Sequence, residues 1–134
     1  MTITTLEALR DAIRESKGPD RELDAAFARL VLGWPDYRMH LTGAFRTKLP
    51  PGEQFYTPPL PEFTSPLAGP GALFAAARER WPECIISGGA SEKLADAGFS
   101  LSPGYVPTCR SHPLLTHALA LAMTEAAIQE RDAG

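Results

Sequence analysis

The chain has 134 residues, of which 44% are hydrophobic and 22% charged, and its formal net charge is −3. These values are typical of one globular domain, and the negative charge argues against direct nucleic-acid binding, because domains that coat nucleic acid are strongly basic. No secretory signal is recognised and no apolar run reaches the roughly 20 residues that span a bilayer; we expect a soluble cytoplasmic protein with no membrane partner, in which Cys84 and Cys109 are reduced.

The N-terminal part, residues 3–33, is predicted to form a helical hairpin. Thr4 is expected to cap the first helix, with Glu7 three residues later completing a capping box. The helix presents an apolar stripe at spacings of three and four, formed by Leu6, Leu9 and Ile13. A Gly-Pro pair at 18–19 ends it.

The second helix follows at once and has its own start and stop signals. Asp20 is predicted to cap it, and the acidic residues of its first turn, Glu22 and Asp24, are explained by the helix dipole. Gly33 is expected to end the helix, and Trp34 to fold back onto its apolar stripe.

Residues 35–66 form a Pro-rich segment in which regular structure is hard to support. Seven of the 13 prolines lie between Pro50 and Pro70. A short strand is allowed between Tyr37 and Phe45, and the prolines at 58–61 favour extended polyproline geometry.

A third helix is predicted from Gly69 or Pro70 to Trp81, since proline is accepted in the first turn and Pro82 ends the helix. Residues 83–87 then predict a buried strand that closes at Gly88 and Gly89.

Residues 92–102 fit two interpretations, a short helix or a strand. As a strand, the segment alternates, with Lys93, Ala95, Ala97, Phe99 and Leu101 on one face. The strand is favoured because of the turn that follows it. Residues 102–104 would then turn the chain into a last strand at 105–110, and Pro107 places that strand at a sheet edge.

The last helix is predicted from Ser111 or Pro113 to Arg131, and apolar residues cover nearly its whole circumference, as in buried helices. The order of elements predicts one α+β domain over residues 1–134. Its parts are the hairpin 3–33, the irregular segment 35–66 and a helix–sheet–helix unit 69–131. A small antiparallel three-stranded sheet is covered by four main helices in an α/β/α sandwich-like arrangement.

Three blocks of the sequence carry a family resemblance. They are GPDRELDAAFARLVLGW (18–34), FTSPLAGPGALFAAARERWP (63–82) and SHPLLTHALALAMTEAAIQE (111–130). In this order they resemble the small phage and prophage proteins of the phage ABA sandwich family, most specifically over residues 3–34. The resemblance implies an α/β/α sandwich and a phage or prophage origin. It implies no established activity and no catalytic residue.

Two cysteines and two histidines are the candidates for chemistry, namely Cys84, Cys109, His112 and His117. Such a set can bind zinc tetrahedrally, but the spacing Cys-x2-His-x4-His is not that of a standard zinc site. Cys109 with His112 could also act as nucleophile and base, although nothing nearby in sequence orients the base. We therefore predict no metal, no cofactor and no catalytic residue, and interpret the four as buried thiols and helix-end histidines.

The candidate partner-binding surface is a basic and aromatic run that begins after Asp36 and continues past Glu53. It comprises Tyr37, Arg38, His40, Arg46, Lys48, Phe55 and Tyr56. Such a run can contact an acidic partner or a phosphate backbone, and an ordinary solvated loop is the alternative.

Together these features lead to a functional hypothesis. The chain is interpreted as a non-enzymatic phage or prophage accessory protein that binds and inhibits a host protein or ribonucleoprotein complex, for example as an anti-CRISPR-like counter-defence protein. A small-molecule or nucleotide-binding sponge is the alternative and would need cationic groups converging on a pocket. A cysteine or metal enzyme and a virion component are further alternatives.

Overall fold

The computed structural model describes residues 3–34, 60–90, 94–100 and 108–133, and the backbone of residues 37–39 and 45–47. In chain order the elements are α1 (Leu6–Glu15), α2 (Arg21–Leu30), β1 (Tyr37–Met39), β2 (Phe45–Thr47), α3 (Gly69–Arg80), β3 (Ile85–Ala90), β4 (Ala95–Ser100), β5 (Thr108–His112) and α4 (Leu115–Ala133).

The main sheet is antiparallel with the order β3-β4-β5, and a two-stranded sheet pairs β1 with β2. This confirms the predicted α+β class with four helices and a three-stranded antiparallel sheet. Residues 95–100 form a strand, as favoured, and their alternation is as predicted, because Ala95, Ala97 and Phe99 are buried. Lys93, Leu101 and the turn predicted at 102–104 lie outside the described residues.

Helix α4 lies at the centre of the layers. It packs on the inner face of the sheet, chiefly against β4 and β5, while α1 and α3 pack against its other sides. Its side chains are buried almost continuously from Thr116 to Ala127, which confirms the prediction of a helix enclosed on most of its circumference. Thr108 ties the sheet to this helix, since its hydroxyl donates to Ala122 O at 2.8 Å.

The first helix begins one residue later than predicted. Thr5, not Thr4, is the N-cap, and its Oγ1 accepts a hydrogen bond from Ala8 N at 3.1 Å. With the cap at Thr5, the third helical residue is Ala8, so Glu7 cannot complete a capping box. Glu7 instead forms a bidentate ion pair with Arg131 of α4, at 2.9 and 2.7 Å.

The second helix follows the prediction closely. Asp20 caps it by accepting from Glu22 N and Leu23 N. Gly33 has φ of +73°, a conformation that glycine adopts without strain, and the chain there leaves the helix axis. Trp34 packs against the core, with its ring 5.8 Å from that of Phe63 in the returning chain.

The prediction of a buried strand at 83–87 is wrong in its limits and in its burial. The strand β3 runs from Ile85 through the two glycines to Ala90, and Ile85 is 67% exposed. The cause is that β3 is an outer strand of the sheet with one face covered, so alternate residues point away from the core. At Gly88 the strand lies close to α4, where an added Cβ would be 3.3 Å from Leu115 Cδ1.

The boundary between the last strand and the last helix also differs from the prediction. β5 extends to His112, which pairs with Ala95, and α4 begins only at Leu115. His112 belongs to the strand because its ladder pairing holds it there, while its ring Nδ1 accepts from Leu114 N at 3.0 Å. The edge position predicted for this strand is confirmed by the order β3-β4-β5; Pro107 lies outside the described residues.

The Pro-rich segment contains more regular structure than expected, in the form of the β1–β2 ladder. Its last part, 60–66, lies in turns but belongs to the core, with Leu60, Phe63 and Thr64 buried. Phe63 lies 5.2 Å from the ring of Phe27. The prolines at 50–51 and 58–59 lie outside the described residues.

Substitution by alanine at two glycines of α3 is expected to change the free energy of unfolding in opposite directions. At Gly69 an added Cβ would lie 2.4 Å from Phe63 O and 2.6 Å from Thr116 Cγ2, whereas at Gly71 it meets nothing within 4 Å. Gly69→Ala should therefore lower the free energy of unfolding by about 1–3 kcal/mol through overpacking. Gly71→Ala should raise it by roughly 0.5–1 kcal/mol through helix propensity. Urea unfolding of both variants checks this, and equal effects would contradict the close packing at Gly69.

Candidate functional site

The predicted partner-binding residues centre on the β1–β2 ladder. In its register Arg38 is opposite Arg46, Tyr37 is opposite Thr47, and Met39 is opposite Phe45. The structure thus brings the two arginine positions together, although they are separated in sequence. The remaining members of the set, His40, Lys48, Phe55 and Tyr56, lie outside the described residues.

Directly opposed positions of an antiparallel pair are the closest cross-strand neighbours, and like charges there are destabilising. The register therefore places two arginine positions next to each other across the ladder. Arginine suits the binding of anions, because its planar guanidinium binds carboxylates and phosphates through two parallel hydrogen bonds.

The structure separates the four residues considered for metal or nucleophilic chemistry. Cys84 is buried before β3, with Sγ 3.7 Å from Ala77 O, and burial raises the pKa of its thiol. Cys109 is exposed on the face of β5 opposite to that of His112. Over the described ranges of the chain, no three His, Cys, Asp or Glu residues are placed to hold a metal ion.

The two histidines do come together, in a way that sequence reasoning missed. The rings of His112 and His117 stack with centroids 4.7 Å apart and planes 18° apart, and both side chains are buried. The sequence interpretation placed both residues on one helix, where their spacing separates them. Because His112 instead ends β5 and His117 lies in the first turns of α4, the turn between the two elements brings the rings into contact.

Burial favours a neutral His117 ring, and the hydrogen bonds around it suit that form. Ser16 Oγ donates to Gly18 O at 3.0 Å, so this hydroxyl is left to accept from His117 Nε2, 2.9 Å away. Nδ1 is then the acceptor for Thr116 Oγ1 at 3.1 Å. Burial, with the neighbouring His112 as a smaller cause, lowers the pKa of His117 to about 4, and Gly18 O and Asp20 oppose this shift.

The outer face of the main sheet carries small side chains around a shallow cavity of about 300 Å³. Its lining includes Ser87, Gly89, Asp96, Gly98 and Cys109. The Ser111 hydroxyl donates to Asp96 on this face, so the carboxylate already has a partner.

A groove of about 580 Å³ lies between the start of α1 and the ends of α2, α3 and α4. Its two arginines are engaged by glutamates, with Arg80 Nη2 2.7 Å from Glu130 Oε1 and Arg131 paired with Glu7. The ion pair lowers the pKa of Glu7 to about 2, chiefly through the hydrogen bonds from Arg131. This lining therefore does not provide the unpaired, converging cations that a nucleotide pocket needs.

The acidic residues at 20–24 do more than interact with the helix dipole. Asp24 is buried, and its Oδ1 accepts from both Thr64 N and Thr64 Oγ1 at 2.8 Å. Arg21 binds Asp24 Oδ2 at 2.8 Å and also donates to Leu60 O and Pro61 O. Burial raises the pKa of Asp24, opposed by these hydrogen bonds. We name this contact between residues 20–24 and 60–64 the Asp24 clasp.

The Asp24 clasp explains the GPDREL motif in structural terms. Asp20 caps α2, Arg21 and Asp24 hold the returning chain, and Asp20 N donates to Thr64 Oγ1 at 2.8 Å. The most specific block of the family resemblance therefore serves folding in this chain.

Comparisons of the chain with protein-family models, with curated proteins and with solved structures find no match. The resemblance to the phage ABA sandwich family accordingly stays a prediction. Among the described helices, none combines the length and the apolar character required to cross a membrane.

The Asp24 clasp predicts a selective sensitivity at Thr64. Thr64→Val removes the hydroxyl that joins Asp20 N to the buried Asp24 carboxylate, and should lower the free energy of unfolding by about 1–3 kcal/mol. Thr64→Ser keeps the hydroxyl and is the matched control, with a smaller loss. Chemical denaturation measures both; a serine variant as unstable as the valine variant would show that the hydroxyl contributes little.

The lowered pKa of His117 predicts acid sensitivity below neutral pH. The unfolded chain binds a proton near pH 6.5 and the folded chain only near pH 4, so the unfolded state is favoured as the pH falls between these values. On this account, the free energy of unfolding should not vary with pH above 6.5. It should decrease by up to about 3 kcal/mol as the pH falls towards 4. Denaturation midpoints between pH 7 and pH 5 measure most of the slope.

His117→Gln is the control variant for this slope, because glutamine retains a donor towards Ser16 and does not titrate. Its stability should vary less with pH over the same window. An NMR titration of the His117 ring in the folded wild-type protein gives a direct check, and a midpoint near 6.5 would contradict the buried, neutral assignment.

Proposed function

We propose that the protein is a non-enzymatic phage or prophage accessory protein that binds a host protein or ribonucleoprotein complex and inhibits it. The observation that carries the proposal is the register of the β1–β2 ladder, which opposes Arg38 and Arg46. Two cations held at neighbouring positions favour an acidic surface as the partner, such as carboxylates around the working face of a host protein.

Two further features support a binding role. The Arg21 and Asp24 side chains hold residues 60–64 to α2, while Trp34 packs on Phe63, so the segment that contains the ladder leaves and re-enters the core at one place. Loops held on a rigid scaffold in this way commonly carry binding functions.

The specific form of the proposal is counter-defence in the cytoplasm of the bacterial host, as an anti-CRISPR-like inhibitor. It rests on the resemblance of the 18–34 block to the phage ABA sandwich family together with the acidic-partner chemistry of the arginine pair. Binding would block the partner's working surface and would require no bond-making step.

The test is phage plaquing on bacteria with active CRISPR-based immunity. Expression of the wild-type protein should raise plaquing efficiency over that of the empty vector. Arg38→Ala with Arg46→Ala should abolish the gain, since truncating one partner of a buried, hydrogen-bonded charge pair costs about 2–5 kcal/mol. The matched control is Arg14→Ala with Arg78→Ala, which makes the same charge change at exposed positions of α1 and α3 and should retain the gain.

Two outcomes would contradict the proposal. A protein that never raises plaquing, in hosts carrying different defence systems, is not an inhibitor of this kind. Equal losses in the two double variants would show that net charge, rather than the ladder positions, is responsible.

A further inference from the structure

The outer edge of β3 has no strand partner among the residues that the structure describes. Within the described residues the sheet order is β3-β4-β5, so β3 has a strand partner on one side. All six of its residues pair with β4 in one continuous register, from Ile85 opposite Ser100 to Ala90 opposite Ala95. Its outward backbone groups therefore form a regular, unbulged template.

This edge lacks the features that usually protect a sheet edge. The strand Ile85–Ala90 contains no charged residue and no proline, and it is not a short strand. Ile85 is 67% exposed, and Ser87, Gly88 and Gly89 are also exposed in the folded chain. Helix α4 packs chiefly on β4 and β5 and less on β3, so β3 lies at the margin of the covered face.

We propose that β3 pairs antiparallel with β3 of a second copy of this chain, which joins the two sheets into one of six strands. A second copy suits this edge on grounds of charge. The chain is acidic overall, with a net charge of −3, but the pairing strand carries no charge and two copies meet there without like-charge repulsion. The proposal is independent of the counter-defence function.

The faces of the sheet restrict the register of this pairing. Ile85, Ser87 and Gly89 lie on the outer face, and the intervening residues on the face covered by α4. Opposed residues of an antiparallel pair lie on the same face, so the two-fold axis must pass through a residue rather than between two. Near the centre of β3 that residue is Ser87 or Gly88.

The exposed isoleucine selects between these two registers. With the axis at Ser87, each Ile85 lies opposite Gly89 of the other copy. A side-chain atom at Gly89 meets nothing within 4 Å, so there is open space on this face for the isoleucine. On the covered face, the half-buried Ile86 would then lie opposite Gly88 of the other copy. Pairing in this register removes exposed apolar surface from water at both ends of the interface.

The first test is the molar mass in solution under reducing conditions. Sedimentation equilibrium of the wild-type protein should show a concentration-dependent rise towards twice the chain's 14.5 kDa. Gly89→Lys places a charged side chain where Ile85 of the second copy packs, and should weaken dimerisation by about tenfold or more.

The matched control is Gly71→Lys, which adds the same residue at an exposed glycine of α3 that also has nothing within 4 Å. It should dimerise like the wild type. Circular dichroism of both variants establishes that they are folded. A wild-type protein that stays monomeric at millimolar concentration, or a Gly89→Lys variant that dimerises normally, would overturn the proposal.

The second test addresses the register and does not depend on a charged substitution. In a Cys109→Ser background, Ser87→Cys places two thiols opposite each other at the axis. The Cα atoms of opposed residues are roughly 4.5–5.5 Å apart, within disulfide range. Mild oxidation should cross-link this variant, whereas Ser111→Cys on β5 in the same background should remain uncross-linked. Cross-linking of the β5 variant alone would place the interface at the other edge.

Discussion

The burial of α4 is the constraint on which the rest of the structure depends. This helix contacts the sheet on one side and α1 and α3 on others, and its side chains are enclosed from Thr116 to Ala127. Because small residues such as Ala118 and Ala122 are fully buried along it, the neighbouring elements approach closely. Each surrounding element needs only one apolar face, and the polar residues are left for caps, clasps and surfaces.

The parts of the fold that local chemistry determines could be predicted from the sequence. Asp20 as a helix cap, Gly33 as a helix stop and the alternation of Ala95, Ala97 and Phe99 all depend on residues close together in the chain. At residues 83–87, and for the partner of Glu7, a more distant element decides. Glu7 is held by Arg131 at the far end of the chain, and the exposure of Ile85 follows from the position of β3 in the sheet.

The candidate site also has features set by the local sequence and features set by distant elements. The sequence identified the basic run, but the opposition of Arg38 and Arg46 required the register of the ladder. The stacked histidines could not be found from spacing, because their contact depends on where the strand ends and the helix begins. The role of Asp24 could not be found from the sequence either, because its partner Thr64 is 40 residues away. Buried polar contacts of this kind are chosen by the tertiary fold, and the described part of the chain leaves no buried side-chain nitrogen or oxygen without a partner.

The junction of Trp34 with Phe63, beside the hydrogen bonds from Arg21 to Leu60 and Pro61, has an evolutionary consequence. The chain departs from the helical frame and rejoins it within one cluster of contacts. Because the two ends of the intervening segment meet there, a longer connection costs the frame little, since each doubling of loop length adds only about 0.6 kcal/mol of closure entropy. Selection can therefore change the length of that segment while the frame retains its fold.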